Sequence, residues 1–300
     1  MTEFPLITRI HPSDATYPPL LKEIPNPPSP LYLLGAVPSP SDVTIAVVGT
    51  RKATREGMLF AKQIGSELSK AGAVVVSGLA LGIDGAAHEG VISVHGRTVA
   101  VLASGLDLIY PRTHENLARE ILDNKGAIVS EYKKGAPALP HQFLERNRIV
   151  SGLSVATVVI EAPIHSGALV TAKFALEQGR ELFVFPGPVN HPNYKGSHVL
   201  LRNGARLVTS AAEILEDLEN TIANYQMTLP LSEKKNPLSE VKDEAGLLIV
   251  NALKNSSEPL SVDNLAENTK LELHIVNQRL TFLTLQGIIE EKNGRFRLKQ

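Results

Sequence analysis

The chain has 300 residues with 43% hydrophobic content and a formal net charge of -1, enough for one large α/β domain plus something smaller. That balance excludes a basic nucleic-acid coat protein, so any polyanion must be held by a local patch. The absence of cysteine excludes structural disulfides and thiolate metal sites. With no basic segment leading into a long apolar run, the chain reads as soluble, cytoplasmic and not membrane-bound.

Residues 1–42 are rich in proline, with PNPPSP at Pro25–Pro30. They read as an extended arm packing on its own domain, with one short helix near Tyr17–Glu23. The next stretch, Ile45–Gly57, is IAVVGTRKATREG. Its apolar, mostly β-branched residues up to Val48 predict a buried strand, and Gly49 frees the backbone for a sharp turn. Leu59, Ile64 and Leu68 stand at helical spacing within Met58–Ala71. The loop therefore lies between a strand's carboxyl end and a helix N-terminus, where unpaired N–H groups and the helix dipole favour negative charge. Arg51 adds a planar cation suited to phosphate. The plainer alternative is a surface arginine on a tight turn.

Further strands are predicted at Ala73–Val76, Thr98–Leu102, Ala127–Val129, Ala156–Ile160 and Leu182–Phe185, alternating with amphipathic helices up to about Leu218. This alternation predicts a parallel, doubly wound sheet, whose ligands bind beyond the strands' carboxyl ends. The loops there are rich in glycine and polar residues: Gly49–Gly57, Ser77–Asp84, Ala103–Arg112, the segment after Ser130, Glu161–Gly167 and the run from Pro186. None contains GxxxxGK followed by Ser or Thr, and GTRKATREG lacks the second glycine of the dinucleotide fingerprint, which argues against ATP hydrolysis and NAD.

Residues 219–242 read as a linker. Beyond it, helices are predicted at Glu244–Lys254, Val262–Asn268 and Glu272–Leu285, with Thr269–Glu272 fitting a capping box. Ile288–Ile289 and Phe296–Leu298 predict a hairpin, giving three helices and a wing over 243–300. The third helix offers Glu272, His274, Gln278 and a single Arg279, too little positive charge for strong duplex binding. Protein contact or regulation ranks ahead of duplex recognition.

Four constellations could carry chemistry. Asp84 and His88, one helical turn apart, could form a metal pair, but a cap with a packed histidine is preferred, and no metal is predicted. Ser130–Lys133 fits a Ser-x-x-Lys pattern without its companion motifs. Glu161, ahead of Ser166 and Gly167, is a candidate catalytic or ribose-contacting acid. The bland reading has it capping a helix or pairing with an arginine. Arg146, Asn147 and Arg148 fall in FLERNRIVSGLS. On a helix Arg148 shares a face with Leu144 while Arg146 turns away. With Arg51, Arg112 and the Ser77–Gly78 amides, these arginines could build a positive groove beside Phe143. A cationic groove with an aromatic platform suits single-stranded nucleic acid.

The ordered motifs GTR (Gly49–Arg51), SGLALGID (Ser77–Asp84) with His88, TVAVLASGLDLIYP (Thr98–Pro111), Ser130–Glu131, FLERNRIVSGLS (Phe143–Ser154) and VVIEA to FVFPG (Val158–Gly187) resemble the DNA-processing protein A family (DprA, also called Smf). The resemblance covers roughly Tyr17–Leu218. It implies an extended Rossmann-like domain that binds single-stranded DNA without hydrolysing it, with neither cofactor nor metal. It further implies dimerisation through that domain, protection of incoming or recombining DNA, and loading of a RecA-type recombinase in natural transformation and homologous recombination. Carried onto matching positions, the DNA pocket comprises Gly49, Thr50, Arg51, Ser77, Gly78, Arg112, Phe143, Asn147 and Arg148. Thr50 stands where serine is commoner, and Arg112 where some relatives have lysine. The C-terminal winged module is similar to one found in part of the family. The competing expectation is an enzyme cleaving the N-glycosidic bond of a nucleoside monophosphate with Arg51, Glu161 and Gly167, although EAPIHSGALVTA lacks that class's tighter glycine pair.

Overall fold

Runs of β-branched and small apolar residues alternate with helical segments from Thr44 onward, and each run becomes a strand. The computed structural model describes residues 6–224, 244–254, 256, 259–285, 289–292 and 294–298. The chain divides into two compact units, Met1–Leu231 and Ser232–Gln300. The first unit runs β1 (Thr8–Ile10), α1 (Pro19–Lys22), β2 (Leu31–Gly35), β3 (Thr44–Gly49), α2 (Arg55–Lys70), β4 (Val74–Ser77), α3 (Ile83–Ile92), β5 (Thr98–Leu102), α4 (Glu115–Asp123), β6 (Ala127–Ser130), α5 (Pro140–Gly152), β7 (Ala156–Ile160), α6 (Gly167–Glu177), β8 (Glu181–Val184), α7 (Lys195–Arg202), β9 (Arg206–Leu207) and α8 (Ala211–Asn224).

Among the described residues these strands form one sheet in the order β1-β2-β6-β5-β4-β3-β7-β8-β9. From β6 to β9 all neighbours are parallel. Side chains alternate across β3: Ile45 and Val47 face α2, α3 and α8, while Ala46 and Val48 face α5 and α6. Burial on both faces explains why these strands read as continuous apolar runs. Each fully buried Ile or Val contributes about 1.5–3 kcal/mol relative to exposure.

The chain winds outward from β3 through β4, β5 and β6, then returns to place β7 on the other side of β3. The strand order therefore reverses between β3 and β7, and their diverging connections leave a crevice at the carboxyl ends.

The proline-rich N-terminal segment does more than pack on the domain. Leu31–Gly35 pairs antiparallel with β6, and Thr8–Ile10 pairs antiparallel with β2. Its prolines fall outside these two short strands, where a missing N–H costs no ladder bond. At the other end α8 runs on to Asn224. The expected linker thus begins inside a helix, and the rest of 219–242 lies outside the described residues.

The second unit contains α9 (Glu244–Lys254), β10 (Leu260–Ser261), α10 (Val262–Thr269), α11 (Leu273–Leu285), β11 (Ile289–Lys292) and β12 (Arg295–Leu298). Ile249, Leu253, Leu265, Val276, Leu280, Ile289 and Phe296 form its core. The expected hairpin gains a third strand, since β10 pairs with β12. The capping box also falls elsewhere than expected: Ser261 and Asn264 form it at the start of α10. Thr269 instead closes that helix, with its hydroxyl donating to Leu265 O.

Candidate nucleic-acid interface

The crevice is built from the end of β3 outward. The Thr50 amide donates to Glu161 O at 2.8 Å and Thr50 O accepts from the Ile83 amide at 3.3 Å, so this residue is tied to β7 on one side and α3 on the other. Thr50 Oγ1 accepts from the Lys52 amide at 3.2 Å, a hydroxyl-stabilised turn. Gly49 is required by proximity: a Cβ there would lie 2.0 Å from Ile160 O and 2.5 Å from Ile83 Cγ1. The turn directs Arg51 outward, where its guanidinium carbon sits 4.7 Å from the centroid of the Phe143 ring. Arg51 is exposed, and among the described residues it forms no salt bridge, although its field reaches the Asp84 carboxyl.

Helix α5 supplies the floor. Arg146 is 3% exposed, and its Nη1 donates to Gly78 O at 2.7 Å and to Val101 O. Asp84 grips the same glycine from the other side, its Oδ2 accepting from the Gly78 amide at 3.1 Å. A Cβ on residue 78 would fall 2.6–2.7 Å from three guanidinium atoms of Arg146, so only glycine admits the arginine here. Burial pushes the Asp84 carboxyl above its ordinary range, against the pull of the Arg146 guanidinium and the Ala80 and Gly78 amides. Burial lowers Arg146 to about 10, with Asp84 opposing, so it remains a cation at neutral pH. Asn147 Nδ2 donates to Gly167 O at 3.1 Å, joining α5 to the start of α6. Ser166 precedes that helix without a side-chain cap bond, which leaves the positive end of α6 facing the crevice. Leu79, Glu161 and His165, in the loops bordering it, adopt φ of 57°, 51° and 69°. Left-handed conformations of this kind cost about 1–3 kcal/mol each and cluster where a site demands them.

The crevice holds a cavity of about 590 Å³ lying over the β3/β7 switch point, within the size range of small-ligand sites. Of the residues expected in the pocket, Gly49, Thr50, Arg51, Gly78, Phe143 and Asn147 line it. Three do not. Ser77 is fully buried, with its hydroxyl donating to Val47 O at 2.6 Å across the sheet. Arg112 opens an exposed 3-10 turn, Arg112–His114, outside the lining. Arg148 is engaged elsewhere, its Nη1 and Nη2 reaching Glu131 Oε1 and Oε2 at 2.6 and 2.7 Å and its Nε reaching Asn26 O at 3.1 Å.

The arginine expected to turn away, Arg146, is the one beneath the crevice. Arg146 and Asn147 are i+3 and i+4 from Phe143, so the three share a helix face and Arg148 is off it, a grouping legible in the sequence once Phe143 is known to face the crevice. Tyr110 was also missed. It lines the cavity and meets Phe143 edge-on, with centroids 5.5 Å apart.

Glu161, the candidate acid, is fully buried and does not line the cavity. Its carboxylate accepts from the Thr54 amide at 2.9 Å, the Thr54 hydroxyl, Asn193 Nδ2 at 2.9 Å and the Tyr194 hydroxyl at 3.2 Å. Burial raises this carboxyl, but the bonds from Thr54, Asn193 and Tyr194 outweigh that and hold it below its usual range. Thr54 in turn caps α2 by accepting from the Gly57 amide at 2.9 Å. Glu161 thus braces the Arg51 loop from behind. The Ser130 hydroxyl donates to Ser104 O at 2.7 Å and is not poised for nucleophilic attack. His88 is buried beside Thr98, with Nδ1 2.7 Å from its hydroxyl, and Asp84 lies within the first turn of α3 instead of capping it. Among the described residues no group of three or more His, Cys, Asp or Glu is arranged to hold a metal, and no helix is long and apolar enough to cross a membrane.

The fold and site define a doubly wound α/β protein with a cationic, aromatic-rimmed crevice at its topological switch point. The family model for DNA recombination-mediator protein A matches residues 8–219. The chain is 38% identical over 281 residues to Protein Smf of Escherichia coli K12, covering 93% of this chain and 74% of that one. It is 37% identical over 206 residues to DNA processing protein DprA of Streptococcus pneumoniae R6, covering 69% of this chain and 72% of that one. Among solved structures, the S. pneumoniae DprA structure superposes with a TM-score of 0.66 at 35% identity, over 72% of this chain and 74% of that one. The Helicobacter pylori DprA structure, described for its single-stranded DNA binding mode, superposes with a TM-score of 0.64 at 29% identity, over 72% and 96%. The chain belongs to the DNA recombination-mediator protein A (DprA/Smf) family.

Proposed function

We propose that this protein binds single-stranded DNA at the crevice without cleaving it, protects the strand, and passes it to a RecA-type recombinase during DNA processing, natural transformation and recombination. The observation that carries this reading is Arg51: an exposed cation in no salt bridge among the described residues, laid on Phe143 at the mouth of a cavity floored by Arg146. Phosphate oxygens satisfy such a cation and the amides at the start of α6, and unpaired bases find aromatic surface beside it. The H. pylori relative's described single-stranded DNA binding supports the same ligand. Handover to a recombinase rests on the family description as a recombination mediator. The reading includes a cytoplasmic homodimer and a C-terminal winged-helix module that contacts protein. The glycosidase alternative loses its acid, because Glu161 is committed to Thr54, Asn193 and Tyr194.

The test is fluorescence anisotropy with a labelled oligothymidylate over a salt series, beside a duplex of equal length. Single-strand affinity is expected to exceed duplex affinity and to fall steeply with salt as counterions are released. Arg51→Glu is expected to abolish binding with an unchanged circular dichroism spectrum. Equal, salt-insensitive binding of both ligands by the wild type and the variant would reject the proposal.

A further inference from the structure

The aromatic pair at the crevice mouth divides its labour. Phe143 is only partly exposed, and one face of its ring is covered by the Arg51 guanidinium at 4.7 Å. Tyr110 is 50% exposed and makes a single edge-on contact with Phe143. Its hydroxyl has no hydrogen-bond partner among the described residues. Half of the Tyr110 side chain thus meets solvent at the cavity mouth, whereas the Phe143 face beside the cation is taken. Around Tyr110 the surface is apolar where solvent exposure alone favours polar residues: Leu108 in the same loop is 43% exposed, and Leu144 and Ile164 on the cavity wall are 49% and 50% exposed. An apolar, aromatic rim beside the exposed Arg51 cation matches a nucleotide, which is flat and apolar on its base faces and anionic only at its phosphate.

Resting on the single-stranded DNA reading, we propose that Tyr110 is the platform on which an unpaired base stacks, while Phe143 is a positioning residue that holds Arg51 flat for the adjoining phosphate. Phe143 acts by a cation–π contact that restricts the otherwise mobile arginine. Tyr110 acts on the base directly.

The experiment compares two strands of equal length and phosphate count, oligothymidylate and an abasic tetrahydrofuran strand, against the full chain over a salt series. Tyr110→Leu is expected to weaken oligothymidylate binding by roughly 5- to 150-fold, the range for loss of one base–aromatic stack, with abasic affinity and the salt slope unchanged. Phe143→Leu is expected to weaken both strands by the same factor and to reduce the salt slope by about 0.7, one phosphate contact, with Phe143→Tyr restoring both. The chain contains no tryptophan, so Tyr110→Trp provides a single indole that can be excited apart from the tyrosines. Its fluorescence is expected to be quenched by oligothymidylate and not by the abasic strand, a readout independent of how well Phe143→Leu folds. Equal weakening of both strands by Tyr110→Leu, or quenching by the abasic strand, would overturn the assignment. Equal wild-type affinity for the two strands would overturn stacking at Tyr110 while leaving backbone binding intact. Wild-type failure to bind either strand would overturn the functional reading itself.

Discussion

Arg146→Met replaces the buried guanidinium beneath the crevice with an uncharged chain of comparable length. The change removes the donors to Gly78 O and Val101 O, leaving two interior carbonyls without that partner, at about 1–3 kcal/mol each. It also removes the cation whose field opposes the burial-driven rise of the Asp84 carboxyl. Taking one partner from a buried charged constellation costs about 3–5 kcal/mol, in line with the two carbonyls alone. For a domain of this size that corresponds to a fall of roughly 6–20 °C in melting temperature, read by circular dichroism at neutral pH. Because Asp84 then remains buried without its counter-charge, Arg146→Met/Asp84→Asn is expected to recover part of the loss, with a coupling of about 0.5–3 kcal/mol. Strand affinity is expected to fall in the single variant even well below its melting temperature, since the Gly78 loop loses one of its two anchors. A variant that melts within about 2 °C of wild type and binds the strand normally would refute the claim that Arg146 organises the crevice.

Thr54→Ala removes the cap of α2 and the hydroxyl that donates to Glu161; it is expected to cost about 1–2 kcal/mol and to weaken strand binding, with Thr54→Ser restoring both in parallel melting and anisotropy measurements. Arg148→Ala breaks the bidentate pair with Glu131 and is expected to cost about 1–3 kcal/mol while leaving strand affinity within about twofold; a large affinity loss without a change in melting would return Arg148 to the site. Burial, aided by the nearby His114 and Arg146, lowers His88 to about 3 from an ordinary 6.5. The unfolded chain therefore binds one more proton than the folded one between those values. Stability is expected to decline as pH falls from about 6.5 toward 3, by at most about 1.4 kcal/mol per pH unit from this group. Denaturant titrations of His88→Asn across that window should show a slope shallower by one proton, and an unchanged slope would rule out a buried neutral imidazole.

The alternation of apolar runs with helical spacing was sufficient to place the strands from β3 to β8 and to make the sheet parallel. A strand buried on both faces must be apolar throughout, and that demand is written locally. The same local logic located Gly49–Arg51 at the carboxyl end of the central strand. The strand β2 within the proline-rich arm is not written locally, because its partner, β6, lies far along the chain, with Tyr32 opposite Ser130.

What the tertiary structure alone decided was which side chains meet across long separations. Periodicity places Arg146 and Arg148 on different faces of α5 without saying which face looks into the crevice; that depended on Gly78, 68 residues away, lacking a side chain where the guanidinium enters. In sequence Glu161 stands between a reactive acid and a helix cap or arginine partner, yet Thr54, 107 residues away, claims its carboxylate. Ser77 reads as an amide-lined loop residue, but its hydroxyl is spent on the neighbouring strand. A residue's own element fixes its chemical type and direction, whereas its partner comes from the packing of elements remote in sequence, and that partner determines whether a charge is left for a ligand or consumed by the fold.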